Sequence, residues 1–155
     1  MKRVISAIIA FAFFGVAVFA QPVQQSVPVQ LGVKAFRDGD VIQIEEVRST
    51  SPNLEQGDTV TVKGHYRLDS RATARLQLLV TQVEGDGLEE TDAKQTFAAT
   101  EGFKPFEVTI TVKHKGYLHV TFYDTESGKP FGGTYFGTTA QMSQAAGLSV
   151  SHYLK

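Results

Sequence analysis

The 155-residue chain has no cysteine. That excludes a disulfide framework, a lipid-attachment cysteine and a thiolate nucleophile, so any fold must rest on its apolar core. Neither charge dominates: 15 Lys and Arg face 16 Asp and Glu. The basic stripe that favours nucleic acid and the polybasic patch that favours anionic lipid are both missing. There is no Gly-x-Ser-x-Gly elbow, and Ser127 and Ser143 have no local companion suggesting a base. The histidines are His65, His114, His119 and His152. No two of them are spaced i, i+2 or i, i+4, as a compact metal site on a strand or helix requires. They are expected as solvated side chains, with His65 and His119 on opposite outward faces and His114 in a turn.

One long apolar run is present, Val4 to Phe19, behind Lys2 and Arg3 and ahead of Val18-x-Ala20. A positive end, a short apolar stretch and small residues at the exit predict a cleaved secretory signal over 1–20. The alternative, an uncleaved anchor, would need a span of about 20 residues. Removing 1–20 leaves 135 residues, mildly acidic, enough for one domain with a real core. Export places the product in the periplasm or outside the cell, and no membrane span remains after cleavage.

Residues 21–38 form a Pro- and Gln-rich leader, read as a loose linker or, at Val27–Leu31, a short edge strand. Residues 39–155 read as a single β domain. Its signal is period two. In "VIQIEEV", 41–47, the apolar parity switches, which predicts a bulge. In "TVTVKGHYRL", 59–68, Val60, Val62, Tyr66 and Leu68 face inward, with Thr61, Lys63, His65 and Arg67 outward. Gly64 falls on the apolar parity and marks a bulge or close packing. "DSR" is read as a turn, and 72–83 as a strand with Ala72, Ala74, Leu76, Leu78 and Val80 inside and Thr73, Arg75, Gln77 and Thr81 outside. A helix competes here, because Ala, Arg, Leu and Gln are good helix formers, but the strict period of two favours a strand. Residues 84–94 read as an acidic loop, 95–100 as a short strand and 101–105 as a turn. In "FEVTITVKHKGYLHVTFYD", 106–124, two apolar sets flank Gly116: Phe106, Val108, Ile110 and Val112, then Leu118, Val120 and Phe122. A hairpin-like loop and a returning strand follow at 125–139. Thr139 is expected to cap a short helix ending before Gly147, and 148–155 to form a tail strand.

Strands recurring at roughly 8–15 residues with turns between them favour an antiparallel sandwich or barrel. From Gly57 to Thr138 the layout resembles the immunoglobulin-like and fibronectin-III-like sandwiches of exported bacterial proteins. "GDTVTVKG", "ARLQLLV", the 106–124 stretch and "GGTYFG" carry the resemblance, and the step from Ile110 to Val120 echoes their corner between the fifth and sixth strands. The paired cysteines and core tryptophan of antibody domains are absent. The resemblance implies a two-sheet antiparallel sandwich of about seven strands, to which this chain adds a short helix and a tail strand.

The outward set of 106–124 poses the functional question: recognition surface or merely the wet side of a sheet? If the two halves lie in different layers, Thr109 and Thr111 share one face. His119, Thr121 and Tyr123 share the other, beside Arg75 and Gln77, with Tyr135 or Phe136 also outward. Aromatic planes beside planar hydrogen-bonding groups suit sugars and peptides. The loop around Phe131 is a second candidate, either as an exposed anchor or as a plug on the sandwich end. The acids at 84–92 offer hard oxygens to calcium, but without the spacing of a calcium loop. The candidate binding set is therefore Arg75, Gln77, His119, Tyr123, Phe131 and Tyr135, with no catalytic residue, metal or cofactor. The expected function is a non-catalytic module for a glycan, a peptide or an exported partner protein. The alternatives are strand-mediated assembly through the leader or tail, and a hydrolase with dispersed catalytic residues.

Overall fold

A computed structural model of the chain describes residues 22–86 and 88–155. The expected signal over 1–20 lies outside the described residues. The chain is mostly β and antiparallel, with one short α-helix. Eight strands follow in order: β1 Gln25–Ser26, β2 Gln30–Ala35, β3 Val41–Ser49, β4 Thr59–Gln82, β5 Glu89–Thr91, β6 Phe97–Thr111, β7 Gly116–Tyr123 and β8 Pro130–Gly137. Helix α1, Thr139–Ala145, and a 3-10 turn, Ser151–Leu154, complete the chain.

The strands form one continuous sheet in the order β1-β3-β4-β7-β8-β2, with β5 and β6 also on β4. It curls into a half-barrel rather than dividing into two separate stacked sheets. The cause is β4. "DSR" does not turn the chain back; β4 runs through it, with a register break against β6 between Leu68 and Thr73. On one side β4 pairs with β3 along its first half and β7 along its second; on the other β6 spans the break, from Thr59 to Leu76, and β5 follows at Leu79–Thr81. Asp40, buried before β3, holds the bend by accepting the Asp69 N–H (2.8 Å), the Ser70 N–H (2.9 Å) and the Ser70 hydroxyl. Tyr66 stitches the break from inside: its hydroxyl donates to the Thr100 carbonyl (3.2 Å) and accepts the Thr100 N–H (3.1 Å).

The even parity of β4 resumes after the bend, so Val60, Val62, Tyr66, Leu68, Ala74, Leu76, Leu78 and Val80 enter the core, but Ala72, expected inside, is exposed because it lies in the bend itself. They meet Phe106, Val108 and Ile110 of β6, Leu118, Val120 and Phe122 of β7, and Phe136 of β8. Gly64 stands opposite the β3 bulge between Ile44 and Glu46, where a Cβ would overlap the Gln43 carbonyl. The close packing read from its parity is therefore present.

Four expectations change. The leader follows its edge-strand reading rather than the linker, at other bounds: β1 pairs with β3 and β2 with β8, one strand on each edge, on either side of Val27–Val29. Residues 97–111 are one strand, not a strand, a turn and a strand. Gly102 supplies the positive φ needed there, and Pro105 is tolerated because β6 pairs only with β4 and needs no donor on its outer side. Part of the acidic loop, Glu89–Thr91, is strand β5. The tail 148–155 is not a strand; it ends in the 3-10 turn. The short helix forms as expected, with Thr138 rather than Thr139 as N-cap, in a capping box with Gln141.

Candidate functional site

The bend in β4 gives the sheet two outer faces, and the polar residues of 106–124 divide between them. Thr109 and Thr111 stand opposite Thr61 and Thr59 on the face of β3, β4 and β6. His119, Thr121 and Tyr123 stand opposite Leu79, Gln77 and Arg75 on the face of β4 and β7, and Tyr135 of β8 adjoins His119. The pairing thus brings Arg75, Gln77, His119, Tyr123 and Tyr135 to one face.

That second face is covered. Helix α1 and the 3-10 turn lie over β7, β8 and β2, and a small apolar layer forms there from Tyr135, Met142 and Ala145 with Val33, Tyr117, Leu148 and Val150. Glycine makes the fit possible: a side chain at Gly32 or Gly137 would strike Met142. His119 is 1% exposed, and Tyr135 and Tyr153 are buried with it. His119 is therefore not a solvated histidine, nor is Tyr135 a free platform.

The buried groups form one hydrogen-bonded cluster. Tyr135 Oη lies 2.8 Å from Thr81 Oγ1, which donates to Glu89 Oε1 (2.9 Å). Tyr153 Oη lies 3.2 Å from Thr121 Oγ1, itself 2.7 Å from His119 Nδ1. His119 Nε2 is 2.8 Å from Glu89 Oε2. A carboxylate only accepts, so the imidazole donates to Glu89 and both hydroxyl chains run toward it. Burial opposes the charge on Glu89, but hydrogen bonding and attraction from His119, with help from Thr81 and His152, outweigh it and hold the carboxyl below its usual range. Burial raises the phenols of Tyr123, Tyr135 and Tyr153, so all three remain protonated donors at neutral pH.

A carboxylate, an imidazole and a hydroxyl in series can activate a nucleophile when the hydroxyl meets substrate. Here Thr121 is fully buried, with Tyr153 bonded to it. The cluster clasps the tail to the sheet. Arg37 adds to it by donating from Nε to the Tyr153 carbonyl (3.1 Å) and from Nη2 to the Lys155 carbonyl.

Phe131 is a plug. It is 2% exposed, stacked on Phe122 at 5.6 Å, with the Arg71 guanidinium 4.3 Å over its ring. Arg75 is exposed, and Gln77 is half-buried, donating to the Thr96 hydroxyl (2.9 Å). Of the acids, Glu90 is buried and accepts from Lys113 N–H, His114 N–H (3.0 Å) and the His114 ring (2.9 Å), which anchors the β6–β7 corner. Comparison with known proteins finds no match: no family model, no curated protein and no solved structure.

The face of β3, β4 and β6 is free of the helix and tail. On it lies a groove of about 410 Å3 lined by Arg48, Thr59, Thr61, Lys63, Glu107 and Thr109 together with Pro22, Gln24 and Gln95; Thr61 is buried, and Gln24 donates to the Thr59 carbonyl (3.1 Å). Thr59 and Thr111 hydroxyls are 3.1 Å apart, those of Thr61 and Thr109 2.9 Å, and Lys63 Nζ is 3.2 Å from Glu107 Oε2. Farther along the same face Phe103 is 52% exposed, stacked on His65 at 5.0 Å with 8° between planes, and the Arg67 guanidinium is 5.8 Å from its ring. Sequence reasoning placed Thr61, Lys63, His65 and Arg67 outward but did not single them out, and put Phe103 in a turn. The available signal was parity: Phe103 is in phase with Glu107, Thr109 and Thr111 once β6 is one strand.

Proposed function

We propose that this chain is an exported, non-catalytic module that binds a glycan along the outer face of β3, β4 and β6. One observation carries the reading: the helix and tail cover one outer face of the curled sheet, whereas the other presents a polar groove and a half-exposed aromatic ring in line. Hydroxyls, an ammonium, a guanidinium and a carboxylate match the mixed donors and acceptors of a sugar, and an aromatic ring suits its apolar C–H side. The burial of His119 and Thr121, with Tyr153 bonded to the hydroxyl, supports a binding role over hydrolysis, although Glu89 is about half exposed. The signal-like composition of 1–20 supports export.

The test is a titration of 15N-labelled protein with a panel of neutral oligosaccharides, β-1,4- and β-1,3-linked gluco- and N-acetylgluco-oligomers. The expected shifts centre on Thr61, Lys63, Phe103 and Thr109. Phe103→Ala should weaken binding about tenfold, as removal of a stacking ring worth about 1.4 kcal/mol does. Silence across the panel, or shifts centred on Tyr123 and Arg75, would refute the assignment.

A further inference from the structure

The half-barrel has an opening. Strands β2 and β3 follow one another in the chain, joined by 36–40, where Asp38 and Gly39 take positive φ. Consecutive antiparallel strands ordinarily pair. These two diverge: β2 forms one edge of the sheet, and β3 lies at the other, flanked there only by the two-residue β1. On the open side of β3, Ser26 and Gln25 pair with Arg48 and Ser49, and Val27 N–H donates to the Val47 carbonyl (2.8 Å). Pro28 then has no N–H to continue the ladder, and the chain leaves to form β2. Among the described residues, Val41–Ile44 therefore have no main-chain partner on that side. Every second residue of an antiparallel edge directs both its N–H and its C=O outward. The bulge at Glu45 limits the regular edge to these four residues.

A groove of about 370 Å3 borders that edge where the leader crosses. Its lining includes Val29, Leu31, Ile44 and Val47 beside polar groups, and Leu31 is 53% exposed. Its charged lining is Glu45 and Glu46, with no Lys, Arg or His. Each carboxylate has one neighbour outside the groove, His65 at 2.8 Å and Arg48 at 3.9 Å, and each side chain is about half exposed.

We propose that the opening between β2 and β3 is a docking site for an extended peptide of a partner protein, which adds a short antiparallel strand to β3 in line with β1. Main-chain groups of Val41–Ile44 hold the added strand, its alternate apolar side chains fill the groove over Leu31 and Ile44, and a basic side chain meets Glu45 and Glu46. This is strand addition, in which the backbone supplies affinity and pockets for alternate residues supply selectivity. The site shares no lining residue with the polar groove, but Glu46 lies 3.9 Å from Arg48 of that groove and Glu45 2.8 Å from His65 of the same face, so Leu31→Ser, away from both pairs, is the variant that separates this proposal from the glycan reading.

The test is a 15N titration with the blocked peptide Ac-Lys-Val-Thr-Val-Thr-Val-NH2. Shifts are expected at Val29, Leu31 and 41–47. Methylating alternate peptide nitrogens should abolish binding. Glu45→Lys with Glu46→Lys should weaken it about threefold, the scale of an exposed charge pair, and Leu31→Ser by a similar factor. Equal binding of the N-methylated peptide, or shifts elsewhere, would overturn the proposal. So would concentration-dependent shifts at 41–47 without peptide, because a second copy would then be the occupant.

Discussion

Replacing Tyr153 tests whether the C-terminal segment is part of the fold or an appendage. Its side chain is 1% exposed, and its hydroxyl meets Thr121 Oγ1 at 3.2 Å and His119 Nδ1 at 3.4 Å. A tyrosine buries roughly 150–250 Å2, which at about 25 cal/mol per Å2 is ~4–6 kcal/mol of apolar transfer. The tail can relax over the exposed ring site, so Tyr153→Ala should cost about 3–5 kcal/mol, in the range of large-to-small core changes. Tyr153→Phe keeps the ring. It removes one hydroxyl, while Thr121 retains its bond to His119, so the loss should be about 1 kcal/mol. Urea denaturation followed by circular dichroism measures both. On a scale of about 3–6 °C per kcal/mol for a domain of this size, the two variants should be well separated in melting temperature. The same pair should leave oligosaccharide shifts at Lys63 and Phe103 unchanged, because that face does not touch the tail. If both variants lie within about 0.5 kcal/mol of the parent, the tail contributes nothing and the covered-face argument fails.

Two further perturbations address other parts of the scaffold. Phe131→Ala should destabilise by about 3–5 kcal/mol, since it empties a site stacked on Phe122 and capped by Arg71; loss of oligosaccharide binding without loss of stability would instead restore the 125–133 loop as a recognition element. Asp58 is pushed upward by burial but held below the usual carboxylate range by Ser51, the Glu55 N–H and Thr50. A carboxyl lowered on folding contributes its stability above the unfolded value of about 3.9 and loses it as pH falls through the folded value. Asp58→Ala should therefore cost about 1–3 kcal/mol at pH 7 and flatten the decline in urea midpoint between pH 5 and pH 2. Parallel declines in variant and parent would refute that assignment.

Much of this architecture is legible along the chain. Period two placed Val60, Leu76, Val120 and their neighbours in the core, because alternation is a property of the extended backbone itself. The bulge in 41–47 and the crowding at Gly64 were likewise visible as breaks in parity. The separation of Thr109 and Thr111 from His119, Thr121 and Tyr123 is expected from two stacked layers, but both strands pair with β4 in one sheet, and it is the bend in β4 that separates them. Where reading failed, the deciding contact was distant. Turn chemistry at 69–71 was read locally, but Asp40, some thirty residues earlier, takes those N–H groups and keeps β4 unbroken. Gly102 and Pro105 look like punctuation until β6 is known to have a free outer edge.

The sequence alone determined the class of the fold and the identity of its core, since side-chain alternation and apolar content are local quantities. Only the tertiary structure decided which face remains open. His119, Tyr123 and Tyr135 have the composition of a binding surface, and nothing near them in sequence says that Met142 will pack on Tyr135 and Tyr153 on His119, leaving Tyr123 half-buried beside them. Covering a face is a matter of where a short apolar tail finds glycine gaps and unmet hydroxyls, and that depends on strands paired across the whole chain.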